Sequence, residues 1–200
     1  ISFLKAIRES NGEQAYWVHH HVVNTADHGI PHTRKRWYCV GIRKNAFPNG
    51  KDFGFPESIP CPSLSKFIDS GSVSGEALEE PASVQDNLDR AFKQIKERGL
   101  DPTKSPIIFD VDASKRHRNW NSTTMPCFTR SGYRGHWISK RKRRTNLGEM
   151  FRLQGIEPSS VQQVCTNTEM GRLLGNAMSL HVIEHDLYNL HSTVGLLSQC

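Results

Sequence analysis

Two arginines set two positions apart behind a Gly-Pro turn have the clearest chemical use in this sequence. The stretch Gly29-Ile30-Pro31-His32-Thr33-Arg34-Lys35-Arg36 leads directly into the apolar run Trp37-Tyr38-Cys39-Val40-Gly41-Ile42. On an extended segment, side chains two apart point the same way. Arg34 and Arg36 therefore bring two guanidinium groups to one face at a sheet end, where ligands bind in open α/β folds, while Lys35 faces away. Such a pair suits a phosphate, a carboxylate or a charge that develops during a reaction. The same spacing also describes a solvated basic loop, and the residues alone leave both readings open.

A second basic cluster is the unbroken run Lys140, Arg141, Lys142, Arg143 and Arg144. It has the composition of a phosphate-tracking segment, or of a charged loop in solvent. His19, His20 and His21 lie inside a stretch rich in aromatic and β-branched residues, so His19 and His21 share a strand face and His20 points away. Two histidines without a third ligand make a polar sheet face, not a metal site. The cysteines are Cys39, Cys61, Cys127, Cys165 and Cys200. They are odd in number, widely spaced and free of any CxxC pair, which argues against a structural zinc site and a secreted disulfide framework and favours a reducing, intracellular setting.

These groups are carried by 200 residues, enough for one domain or two small ones. Lys and Arg number 26 against 20 Asp and Glu, for a net charge of +6, which permits a nucleic-acid partner without requiring one. The hydrophobic share of 36% is that of a globular chain. No run reaches the roughly 18 apolar residues of a membrane span, so no membrane partner is expected. The first residue is Ile1, which suits a processed chain or a fragment.

The elements that must position the arginines follow from pattern. Residues 1–10 place Phe3, Leu4 and Ile7 on one helical face. Residues 16–24 read as a strand, and 37–42 as a strand buried on both faces. Residues 45–62 are irregular, 63–68 form a short helix capped by Ser63, and 70–84 have linker composition. A helix is predicted over about 86–98, capped by Asp86 or Asn87 and stopped by Gly99. A short strand covers 107–111, and a polar segment with Lys115, Arg116 and Arg118 follows. Asn146 and Glu149 form a capping box for a helix that ends at Gly155. Further helices are predicted over 169–174, capped by Thr168 and stopped by Gly175, and from about 177, capped by Asn176.

Taken together, these segments resemble the cytosine-5 DNA methyltransferases. The eighth motif of that family, Gly-x-Pro-Gln-x-Arg-x-Arg leading into a strand, matches residues 29–36 and the strand behind them. The ninth, an arginine and a capped helix with Glu followed by Arg-Leu-Gln-Gly, matches residues 143–155, with Glu149, Arg152, Leu153, Gln154 and Gly155. The tenth, Gly-Asn-Ala or Gly-Asn-Ser heading a helix, matches Gly175-Asn176-Ala177. The three stand in the family's order over residues 16–190. His32 replaces the usual Gln, and Asn146 and Gly148 replace the usual Thr and Arg. The family's cofactor loop (Phe-x-Gly-x-Gly), its Pro-Cys-Gln nucleophile and its Glu-Asn-Val acid precede the eighth motif and do not occur here. Pro60-Cys61 and Pro126-Cys127 come after that motif and are followed by Pro62 and Phe128, so neither is read as the nucleophile.

The resemblance implies an α/β fold: the C-terminal portion of a Rossmann-like S-adenosylmethionine-dependent methyltransferase, with a small, irregular target-recognition region. Residues 1–46 would end the catalytic domain, 47–140 would form the recognition region and 141–200 would return to the catalytic domain. The implied reaction is methyl transfer from S-adenosylmethionine to carbon 5 of a flipped cytosine in double-stranded DNA. Arg36 would donate to the cytosine carbonyl oxygen, and Arg34 would brace the missing glutamate or hold a phosphate. Asn176 and Ala177 would close one side of the cofactor pocket, and residues 140–144 would contact DNA. The partner implied is the N-terminal half of the domain, on the same chain or a second subunit, and the 200 residues alone would be inactive. A non-catalytic DNA-binding module or a split-enzyme subunit is the competing expectation. Cys127-Phe128-Thr129 resembles a tripeptide of the tRNA-methylating branch, which keeps RNA as a minor alternative. The compartment implied is the nucleus in a eukaryote or the cytoplasm in a bacterium.

Overall fold

Aromatic and β-branched residues build β1 (Tyr16–Asn24), which pairs antiparallel along its whole length with β2 (Lys35–Arg43), from Tyr16 opposite Arg43 to Asn24 opposite Lys35. The computed structural model describes residues 1–71, 81–104, 106–114 and 120–196. The loop between the strands holds a 3-10 turn at Thr25–Asp27 and Gly29 at φ +84°. This ribbon has only two strands, and it corrects the expectation of a strand buried on both faces. Of β2 only Ile42 is buried, and Trp37 is 53% exposed, because among the described residues no third strand or helix covers the outer face.

A second, four-stranded sheet runs β4 (Trp120–Asn121), β3 (Ile108–Phe109), β5 (Trp137–Ile138), β6 (Arg143–Arg144). Its strands are short, yet the alternation along β3 divides the interior. Ile107 and Phe109 face α2 (Ala82–Glu97) with Val84, Leu88, Ala91 and Ile95, whereas Ile108 joins Ile138, Met125, Phe128, Met150 and Leu153 in a second core. The three remaining C-terminal helices are α3 (Leu147–Arg152), α4 (Asn167–Asn176) and α5 (Leu180–Thr193).

Several predicted boundaries move. α2 begins at Ala82 behind Pro81, which is already fixed at a helix-compatible φ of −54°. The expected cap Asn87 is buried inside the helix and gives its amide to the Val111 and Ala113 carbonyls. The helix of the first ten residues shrinks to α1 (Ser2–Ala6), with Phe3 and Leu4 exposed and nothing buried. Residues 63–68 give one 3-10 turn, Leu64–Lys66, capped by Ser63 as predicted. The capping box at Asn146 and Glu149 forms. α4 carries its own box on Thr166 and Glu169, two residues before the predicted cap, and runs through Gly175 to Asn176. Asn176 therefore ends a helix instead of capping one, and Ala177 is extended at ψ 150°. Residues 72–80 of the linker and the Lys115, Arg116, Arg118 cluster lie outside the described residues.

α4 sits backbone-to-backbone on the loop after Cys127. A Cβ on Gly171 would stand 2.2 Å from the Tyr133 carbonyl oxygen, and one on Gly175 2.3 Å from that of Thr129. Neither neighbour is a flexible side-chain tip, so both positions need glycine. Gly171→Ala should lower stability by about 1–3 kcal/mol, read as a lower urea midpoint at unchanged slope. An unchanged midpoint would mean the helix does not pack this closely.

Candidate active site

The hairpin end, the loop after β4 and the C-terminus of α4 meet at Arg34. Its side chain is 1% exposed. Nη1 donates to the Phe128 carbonyl at 2.7 Å and to Cys127 Sγ at 3.3 Å, and Nη2 donates to the Gly175 carbonyl at 3.0 Å and to the Ala177 carbonyl. Burial pulls its pKa below the usual guanidinium value, opposed by Cys127. A buried cation is tolerated here because carbonyl dipoles from two segments surround it. Arg34 does not present a free guanidinium to a ligand; it joins 127–128 to 175–177.

Arg36 is half-buried on the same side, and Lys35 is exposed on the other, as the two-residue spacing requires. Arg36 Nη1 donates to the Lys35 carbonyl at 2.8 Å and Nη2 to Cys127 Sγ at 3.7 Å. Both guanidinium groups thus meet at one sulfur. The sequence marks Cys127 as a rejected nucleophile and as part of the Cys127-Phe128-Thr129 tripeptide; its contact with the arginines, 91 and 93 positions away, has no local signature.

His32 shows why the loop holds without the usual Gln. Its ring is fully buried, Nδ1 lies 3.0 Å from the Leu153 carbonyl, and Nε2 accepts from the Phe128 amide at 3.2 Å. The tautomer satisfying both carries its proton on Nδ1. Burial, then Arg34 and His136, push its pKa down to about 3. Phe128 is sandwiched, with His32 at 4.8 Å and His136 stacked on it at 5.1 Å. Burial also holds His136 below the usual imidazole value, against the pull of Asp110, whose carboxylate is 3.7 Å away.

The second basic run divides in two. Arg143 forks onto Glu149, with Nη2 to Oε1 at 2.7 Å and Nη1 to Oε2 at 2.9 Å; the hydrogen bond to Glu149 and its charge raise the Arg143 pKa. Glu149 is fully buried and also accepts from the Asn146 and Asp69 amides. Arg144 pairs with Asp112 at 2.8 Å and donates to the Gly135 carbonyl. Both arginines are held in the fold. Lys140 and Lys142 are exposed and Arg141 is half-buried, so these three remain for an external anion.

The Asn176 side chain is exposed and makes no hydrogen bond among the described residues, whereas the Ala177 carbonyl is taken by Arg34. Among the described residues no group of three His, Cys, Asp or Glu side chains could hold a metal ion, and the adjacent histidines pack on Phe53, Phe55 and Trp37. Cys39, Cys61, Cys127 and Cys165 are free thiols. Among the described residues no helix is long and apolar enough to cross a membrane.

Removing both bonding atoms with His32→Leu leaves a buried amide and carbonyl unpaired, at a cost of about 2–5 kcal/mol. His32→Gln supplies a donor and an acceptor and should retain most of the stability. His32 is neutral when folded and titrates near 6.5 when unfolded, so its contribution is complete above about pH 6.5 and declines as pH falls toward 3. Urea titrations from pH 4 to 8 should show a shallower pH dependence for His32→Gln than for the wild type; equal slopes would remove His32 from the account.

Comparison with known proteins identifies the family. Residues 2–191 match the family model of C-5 cytosine-specific DNA methylases. The chain is 27% identical over 183 residues to the Type II methyltransferase M.NgoBI of Neisseria gonorrhoeae, covering 90% of this chain and 52% of the relative. It is 22% identical over 198 residues to M.HhaI of Haemophilus parahaemolyticus, covering 96% and 58%. The chain thus spans little more than half the length of these curated relatives. In fold it is similar to the methyltransferase EhMeth of Entamoeba histolytica, with TM-score 0.56, 18% identity, and coverage of 92% of this chain and 55% of that one.

Proposed function

The chain belongs to the C-5 cytosine-specific DNA methylase family, and from that premise we propose that it is the C-terminal half of a DNA (cytosine-5) methyltransferase, with Arg36 donating to the target base. The observation that carries the reading is the division of labour between the two arginines. Among the described residues, both Nη groups of Arg34 are engaged by carbonyls, while Arg36 beside it keeps N–H groups unengaged at a half-open position.

A cytosine in a duplex must leave the stack before its ring carbons can be reached. The N-terminal half would supply the thiolate that adds to carbon 6, and negative charge then accumulates on the pyrimidine. Arg36, held in place before the reaction, would donate to the carbonyl oxygen where part of that charge collects. Arg34 keeps the strand end, the 127–128 segment and the C-terminus of α4 in register. Lys140, Arg141 and Lys142 would contact phosphates, giving affinity without sequence information.

The methyl donor of the family is S-adenosylmethionine, which supplies an electrophilic methyl group when bound. Asn176 fits a place at the edge of such a pocket, because its side-chain amide is exposed and makes no hydrogen bond among the described residues. The chain offers that one wall and no Gly-rich cofactor loop. The partner in this reading is the rest of the methyltransferase domain. Open hairpin edges support it, as does exposed apolar surface at Val22 and Trp37 on the ribbon and at Leu173, Met178 and Leu180 around the end of α4. Covering Trp37 and its neighbours would complete the burial that the β2 sequence calls for.

The test is single-turnover methylation of DNA by the enzyme completed with its N-terminal half. Arg36→Ala should lose a donor worth roughly 1.5–3 kcal/mol, or about ten- to a hundredfold in rate, with DNA affinity nearly kept. Lys35→Ala should change only the salt dependence of binding. Arg36→Lys should not rescue, since an ammonium lacks the planar fork. Equal rates for Arg36→Ala and Lys35→Ala would overturn the base-contact role.

A further inference from the structure

We propose that the Cys127 thiol is a positioning residue that aims the Arg36 guanidinium at the target base; the inference rests on the role of Arg36 given above. Arg36 has one hydrogen bond to its own neighbour, the Lys35 carbonyl, and one to another element, Cys127 Sγ at 3.7 Å. No carboxylate forms a salt bridge with it among the described residues. Among the described residues the sulfur is therefore its only hydrogen-bonded tether beyond β2.

That tether is built on a fixed base. The thiol can donate to the Phe128 carbonyl at 3.3 Å while its lone pairs face Arg34 Nη1 and Arg36 Nη2. Phe128 is fully buried between two imidazole rings, its amide is bonded to His32, and its carbonyl also receives Arg34. Cys127 thus cannot move without disturbing the core, and it transmits that rigidity to Arg36. The chemistry of the tether matters as much as its position. A carboxylate here would hold the guanidinium more tightly and cancel the charge needed at the base. A thiol is a weak acceptor, so it orients Arg36 and leaves its charge available.

The experiment is a double-mutant cycle on the completed enzyme, with variants Cys127→Ala, Arg36→Ala and the pair, plus Cys127→Ser. Single-turnover rate, DNA affinity and thermal midpoint are read for each. Loss of a weak hydrogen bond predicts a rate about three- to tenfold lower for Cys127→Ala, with affinity and midpoint nearly unchanged. In the Arg36→Ala background the same change should cost nothing further, because there is no guanidinium left to aim. Cys127→Ser keeps a donor and an acceptor on a shorter arm, so its rate should lie between those of wild type and Cys127→Ala. It also carries the test if the alanine variant does not fold.

An unchanged rate in Cys127→Ala, or losses that multiply in the double variant, would overturn the positioning role while Arg36 keeps its own. A silent Arg36→Ala would overturn the functional reading first and this inference with it. Complete loss of turnover in Cys127→Ala, together with loss of the covalent enzyme–DNA adduct, would make the thiol a nucleophile and contradict the proposal.

Discussion

The buried guanidinium of Arg34 is the contact on which the rest of the site depends. A cation at 1% exposure needs acceptors, and both Nη groups find them in Phe128, Gly175 and Ala177, with Cys127 Sγ beside them, while Nε has no partner among the described residues. These residues lie 93 to 143 positions from Arg34 in the chain. One side chain thereby sets where the loop after β4 and the end of α4 stand relative to β2. His32 reinforces the same junction two residues earlier, bridging the Leu153 carbonyl and the Phe128 amide. Arg36, Cys127 and Asn176 inherit their positions from this junction.

A second buried charge, on α3, does parallel work. Glu149 receives the Arg143 fork and two backbone amides, so the capping box of one helix also anchors the end of the basic run and the turn at Asp69. Removing one partner from such a pair strands the other in a low-dielectric interior. Of the five consecutive cations, Lys140 and Lys142 stay exposed and Arg141 is half-buried. A run of five like charges overstates what an approaching phosphate would meet.

Local features were legible in the sequence wherever local chemistry decides them. The strand at 16–24, the Asn146–Glu149 box, the Ser63 cap and the Gly-Pro turn all rest on neighbours within a few residues. The pairing of Arg34 and Arg36 on one side followed from the period of an extended chain. What was not legible depends on distant partners. Asn87 looks like a cap and is instead spent on the Val111 carbonyl. Arg143 looks like a phosphate ligand and is spent on Glu149. β2 has the sequence of a fully buried strand and the exposure of one face of a ribbon, because burial is set by what packs on it. The Cys127 contact was hidden for the same reason.

Hydrogen exchange on Arg34→Met tests the account most directly. If the guanidinium joins the three segments, amides around 127–129 and 173–177 should lose protection together, while those within Ala82–Glu97, which pack in a separate core, should be unchanged. Loss of protection confined to the immediate neighbours of residue 34 would contradict it, and would mean that the loop and the helix end hold their places without the arginine.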